Sequence, residues 1–180
     1  MPVRARLRAA VAALGLTAAL VTIPVEAAHA DSCPNPIPLS VSDVVLRVNT
    51  GMGRHVDHTI GKIYLSYIGG TCRQQFAEIH WNTGAERASG TLYINDPFNS
   101  EVGRVPFNVQ ANYTGYTTSG GISIDHDPWG TTYPQPKAFQ AAAHINIDDN
   151  FCSTTIATAA HLYSTGGTSG TSSTTCATGM

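Results

Sequence analysis

Charge is scarce in this sequence: only 12% of its 180 residues are Asp, Glu, Lys or Arg. Nucleic-acid-binding domains gather positive charge into a patch or stripe, and no such cluster occurs, so a nucleic acid is not expected as a partner. None of the four cysteines stands in a C-x-x-C pair, which removes zinc-knuckle and thioredoxin-type chemistry. The G-x-S-x-G nucleophile elbow is missing, as are the G-x-x-x-x-G-K-[ST] and G-x-G-x-x-G phosphate loops. The main apolar run, Ala9 to Val21, is thirteen residues, short of the ~20 that a membrane-spanning helix needs. After it, no segment keeps a 3.6-residue apolar period over three turns.

The first thirty residues carry a pattern of their own. Arg4, Arg6 and Arg8 precede the apolar run, and a more polar stretch closes on Ala28-His29-Ala30. A charged start, a short apolar centre and an A-x-A site are what signal peptidase reads. Residues 1–30 are therefore expected to be a cleaved signal peptide, and 31–180 a single secreted domain with no membrane insertion. Taking three arginines from the ten basic residues and Glu26 from the twelve acidic ones leaves 7 − 11 = −4. A negative, hydroxyl-rich surface also disfavours docking on anionic lipid.

Cys33, Cys72, Cys152 and Cys176 all follow that cut. An even count in an exported chain reads as two disulfides. Of three connectivities, Cys33–Cys72 with Cys152–Cys176 is favoured, because sequential pairing pins each loose end to its nearest strand.

Strand periodicity is present in quantity. Val105, Phe107, Val109, Ala111 and Tyr113 alternate with polar residues, and Phe139, Ala141, Ala143, Ile145 and Ile147 do the same. Pro106 cannot donate a ladder hydrogen bond, so its strand is expected at a sheet edge. Further strands are expected near 43–48, 60–68, 72–81, 90–95 and 152–162, with a short one at 121–125. The stretch 72–81 could alternatively form a short helix. Residues 139–162 read as a hairpin, with Asp148 opposite Ser153, Ile145 opposite Ile156 and Phe139 opposite Leu162. The expected fold is all-β: one antiparallel sandwich or barrel-like domain of about seven or eight strands. Prolines hold 33–38 extended, while the Ser/Thr/Gly segment 164–175 is expected to be a flexible loop tied back at Cys176.

Four places could carry chemistry. His55-Val56-Asp57-His58 is dense in metal ligands, but it reads as a solvated polar loop beside Gly51-Met52-Gly53, and no metal or other cofactor is expected. His144 and His161 both point outward in the expected hairpin, roughly 14 Å apart, too far to share an ion. Asp125-His126-Asp127-Pro128 could pair two carboxylates for a hydrolase or calcium, or simply form a turn. The stretch 112–136 places Tyr116, Trp129 and Tyr133 beside Asp125 and Asp127. Aromatic faces among polar groups suit a protein partner or a sugar.

The leading expectation is a secreted, non-enzymatic interaction protein, an adaptor or structural subunit of an extracellular protein complex such as a toxin or competition assembly. The Pro-rich lead-in and the Pro-bearing edge strand suit strand addition to a protein partner. Two alternatives stand beside it: a glycan- or cell-wall-binding module using the 112–136 aromatics, and a hydrolase using Asp125 and Asp127.

Overall fold

The computed structural model describes residues 33–82, 85–125, 137–148 and 151–178. The expected signal peptide lies outside these residues. Twelve strands and no helix occur among them, arranged as two packed sheets.

The first sheet contains β1 (Ile37–Gly51), β2 (Arg54–Ile68), β3 (Gln74–Trp81), β6 (Tyr116–Thr118), β7 (Ile122–Ser123) and β12 (Thr175–Ala177). Its order is β12-β1-β2-β3-β6, with β7 also paired to β3. The second contains β4 (Ala88–Asn95), β5 (Glu101–Val109), β8 (Ala138–Ile147), β9 (Cys152–Ala157), β10 (Ala160–Leu162) and β11 (Gly167–Ser169). Its order is β11-β10-β8-β4-β5, with β9 also paired to β8. Inward residues of both sheets form one core, among them Val44, Ile63, Leu65, Ile79 and Trp81 from the first and Leu92, Phe139, Ile145, Ile147 and Ile156 from the second. Burying each large apolar side chain contributes roughly 2 kcal/mol before its ordering entropy is charged. The sandwich and the edge position of Pro106 on β5 match the sequence reading, and the 72–81 stretch is strand, not helix, over Gln74–Trp81.

Four expectations change. The ladder is antiparallel throughout except that β12 runs parallel to β1, pairing Cys176 with Leu46. His55-Val56-Asp57-His58 lies within β2 rather than in a loop, because the turn before it is tighter than expected. Met52 (φ 52°) and Gly53 (φ 70°) form a two-residue loop with both φ positive, and Gly51 pairs with Arg54. That is the hairpin geometry whose twist matches the strands.

The β8–β9 register differs from the expected one by two residues. Asn146, not Asp148, faces Ser153, and Ala143 faces Ile156. A two-residue shift keeps every side chain on its face, which is why apolar patterning alone did not detect it. Past Ala157 the pairing breaks, and β10 resumes with His161, not Leu162, opposite Phe139. This step is odd, so it turns His161 inward.

The Ser/Thr/Gly tail is more ordered than its side chains suggest. Gly167–Ser169 pairs with β10, and Ser173 exchanges two backbone hydrogen bonds with Ala157, at 2.6 and 3.0 Å. Backbone pairing needs no apolar side chain, only an available sheet edge. The disulfides are Cys33–Cys72 and Cys152–Cys176, the sequential connectivity. The first fastens the Pro-rich lead-in to the start of β3. The second joins β9 of one sheet to β12 of the other. Two such bonds indicate an oxidising, extracellular environment.

Candidate functional site

The outer face of the first sheet places polar and aromatic side chains in register across four strands. Tyr116 on β6 pairs with His80 on β3, which pairs with Lys62 on β2, which pairs with Asp43 on β1. One step along, Tyr64 lies between Glu78 and Val41. Cross-strand partners share a face, so all of these project to the same side. Ring centroids of Tyr64 and His80 stand 4.5 Å apart, and those of His80 and Tyr116 6.0 Å. The row ends in the open: Tyr116 is 68% exposed and Val41 51%.

Fixed polar groups surround this row. Ser66 Oγ donates to Glu78 Oε2 at 2.9 Å, and His80 Nε2 stands 3.9 Å from Glu78 Oε1. Lys62 Nζ donates to Asp43 Oδ1 at 2.7 Å. Behind the row, Trp81 Nε1 donates to the Thr117 hydroxyl at 3.1 Å and anchors β6. Ser119, just past β6, donates its backbone N–H to Ala77 O and accepts the Ala77 N–H on its hydroxyl. These bonds hold Tyr116 on a fixed strand although the strand is three residues long.

Of the binding residues expected from the sequence, Tyr116 belongs to this face and Asp125 does not. Asp125 follows β7, beside the beginning of β3, where its carboxylate meets Arg73 Nη2 at 3.1 Å and Lys137 Nζ at 3.5 Å. Tyr116 pairs near the end of β3, some seven residues away. At ~3.4 Å per residue the two are roughly 24 Å apart. They do not form one site. Asp127, Trp129 and Tyr133 lie outside the described residues, as does His126. Tyr113, which alternation places on one face with Phe107 and Val109, is 41% exposed, because β5 ends at Val109 before reaching it.

The histidine readings change too. Within β2, Asp57 pairs with Arg47 and His58 with Leu46. His55 and Asp57 therefore share the outer face while His58 turns to the inner one. Asp57 is held by a two-pronged contact from Arg47, at 2.8 Å for each bond, which lowers its pKa. Among the described residues no group of three His, Cys, Asp or Glu side chains could hold a metal. His161, expected to point outward, is 7% exposed, with its ring edge-on to Tyr163 at 4.9 Å. Burial lowers its pKa.

One constellation escaped the sequence reading. His144 Nδ1 lies 2.9 Å from the Thr155 hydroxyl, and its Nε2 lies 2.7 Å from Glu101 Oε1. Arg104 approaches the same carboxylate at 3.3 Å. Burial and the neighbouring Glu101 push the Tyr93 hydroxyl up to about 12. The corrected register is what places Thr155 directly opposite His144; the expected one placed Ala157 there. A hydroxyl–imidazole–carboxylate chain resembles a nucleophile relay in outline. Here it spans exposed positions of a sheet face, in contact with water, where charge developing in a reaction is screened rather than stabilised. These contacts tie β5, β8 and β9 together.

Comparison of the chain with protein-family models, with curated proteins and with solved structures found no match, so its function is read from its own residues.

Proposed function

We propose that the protein is a secreted, non-enzymatic interaction protein that docks another extracellular protein on the outer face of its first sheet. The observation that carries this is the row Tyr64–His80–Tyr116, half-buried at Tyr64, open at Tyr116 and continued by the exposed Val41, on strands that hydrogen bonds and core packing hold in place. Tyrosine gives large contact area at small cost in conformational entropy and is enriched at binding hot spots. The flanking pairs Lys62–Asp43 and Ser66–Glu78 supply polar contacts already arranged for a partner. Export through residues 1–30 with cleavage after Ala30 belongs to the same proposal and agrees with the two disulfides.

The test is co-purification of the tagged full chain from culture fluid, with wild type and Tyr116→Ala compared. A stoichiometric protein partner is expected, bound at least about thirtyfold more weakly by the variant, the mark of a hot spot worth ~2 kcal/mol. A partner retained equally by the variant, or recovery only as a free monomer, refutes the assignment.

A glycan is the second reading, favoured by an aromatic row flanked by Glu78 and Lys62 on one sheet face. Retention on chitin, cellulose or peptidoglycan that disappears in Tyr116→Ala would replace the protein partner with a sugar.

A further inference from the structure

The β1–β2 hairpin reaches past the core, and a cavity of about 240 Å³ lies beneath its inner side. The bulge at Ile60 sets this up: Val44 pairs with Gly61 but Val45 pairs with Thr59, leaving Ile60 as the extra residue. The bulge directs Ile60 inward, 2% exposed, and beyond it Leu46 and His58 face the cavity as a pair. Val48 continues the wall, and Phe151, from the β8–β9 turn, closes the opposite side while 46% exposed. At ~30 Å³ per water, the space holds about eight waters or one side-chain-sized ligand.

Two carboxylates, Glu86 and Asp148, complete the lining. They differ from every other described carboxylate. Asp43 meets Lys62, Asp57 meets Arg47, and Asp125 meets Arg73. Glu78 is bonded to Ser66, Glu101 to His144, and Asp96 to the amides of Phe98 and Ser100. Among the described residues, only the Glu86 and Asp148 side chains have neither an ion pair nor a hydrogen bond, and both line this one cavity. An apolar floor under two unpaired negative charges is complementary to one class of ligand.

We infer that this cavity binds an organic cation, an ammonium or guanidinium group carried on a short apolar stem. The stem lies against Leu46, Val48 and Ile60, removing apolar surface from water. The charged head sits between Glu86 and Asp148, and the Phe151 ring offers its negative face to the same charge. A free amine and a lysine or arginine side chain of a polypeptide present the same chemistry. The site is separate from the Tyr116 face and stands or falls independently of it.

The experiment is a chemical-shift titration of the full disulfide-bonded domain, reading the methyl groups of Leu46, Val48 and Ile60. Three probes are compared: hexylammonium, a capped tripeptide with arginine at its centre, and 1-hexanol as the neutral control. Saturable shifts with hexylammonium and none with the tripeptide assign a free amine; shifts with the tripeptide, alone or beside hexylammonium, assign a polypeptide side chain. Either binding is expected to weaken about fivefold in Glu86→Gln and in Asp148→Asn, the effect of losing one partly exposed ion pair. Both positions are exposed, and asparagine readily adopts the positive φ of Asp148 (48°), so the variants are expected to fold. Tyr116→Ala leaves the shifts unchanged. Hexanol binding as tightly as hexylammonium, titrations insensitive to both carboxylates, or no saturable shift with either cation overturns the inference.

Discussion

Removing the Cys152–Cys176 bond is expected to destabilise the domain by about 3.5 kcal/mol. The bond closes a loop with a sequence separation of 24 residues, and loop-closure entropy for that length gives this figure near 25 °C. It is a large share of the ~5–15 kcal/mol that holds a typical domain. The structure says where the loss appears first. Cys176 sits at the centre of β12, three residues long, which is reached through a segment of Ser, Thr and Gly. Besides the disulfide, this tail is held mainly by backbone pairing: Val45 N–H to Thr174 O at 2.9 Å, Ala157 N–H to Ser173 O at 2.6 Å and Thr178 N–H to Arg47 O at 2.9 Å. Asn49 adds two bonds at its end, donating Nδ2 to Thr178 O at 2.7 Å and its backbone N–H to the Thr178 hydroxyl at 3.1 Å. In the double variant Cys152→Ala, Cys176→Ala, with Cys33–Cys72 intact, urea unfolding reads the stability loss. Amide exchange should then show Ala157 and Thr178 losing protection while core amides such as those of Ile63 and Ile145 keep it. A loss below ~1 kcal/mol with Ala157 still protected would refute the reasoning, because the tail would then hold to both sheets without its covalent tie.

Three further outcomes are expected. At Gly90 an added Cβ would stand 1.9 Å from the His144 carbonyl oxygen and 3.1 Å from the Phe107 ring; Gly90→Ala is expected to cost about 3 kcal/mol by thermal unfolding, and a cost under ~0.5 kcal/mol refutes the contact. His161 is buried with Nδ1 unpartnered among the described residues, and burial lowers its pKa. The unfolded chain, near ~6.5, therefore binds the proton first on acidification, so this histidine's contribution is intact above about pH 6.5 and lost as pH falls toward the native value. Urea midpoints measured from about pH 8 down to about pH 5 should fall less steeply for His161→Gln than for wild type, and equal slopes refute the assignment. If Thr155–His144–Glu101 is a tie and not a nucleophile relay, fluorophosphonate ester probes should leave Thr155 unlabelled; Thr155-dependent ester hydrolysis would instead move the protein into the enzymes.

Which parts of the fold were legible follows from what each sequence signal encodes. Alternation reports the face of a strand, so the strands supplying the core were visible from residues such as Val105, Phe107 and Val109. It is blind to even shifts, and the β8–β9 register was read two residues off for that reason. That error concealed the Thr155–His144 contact. Single-residue irregularities leave no periodic trace at all. The bulge at Ile60 and the break at Thr158–Ala159 decide where His58 and His161 point; the first has only Gly61 beside it as a mark, and the second has neither a proline nor a glycine. The candidate face was legible only in part, because Tyr116 was drawn from a local aromatic cluster whereas its structural neighbours Tyr64 and His80 come from strands far earlier in the chain. Asp125 was drawn from the same cluster, and β3 separates it from Tyr116 along its length.

The two outer sheet faces differ in a way that favours one of them for binding. On the second sheet, His144 joins Glu101 to Thr155, Asn95 Nδ2 donates to Gln140 Oε1 at 3.4 Å, and Gln140 Nε2 donates to Thr158 O. Tyr93, Ala142 and Ala157 are buried beside this network. Its polar groups are already engaged with one another, and a partner would have to break those bonds to make its own. On the first sheet, the bonds that position the row lie at its margin or behind it: Ser66 to Glu78, Lys62 to Asp43, Trp81 to Thr117. Tyr116 itself remains 68% exposed. A partner covering it displaces water from apolar surface while leaving those positioning bonds intact. Rigid backing and an uncommitted aromatic surface therefore coincide on one face, and substitutions that weaken binding without lowering stability are expected at Tyr116, not at Trp81.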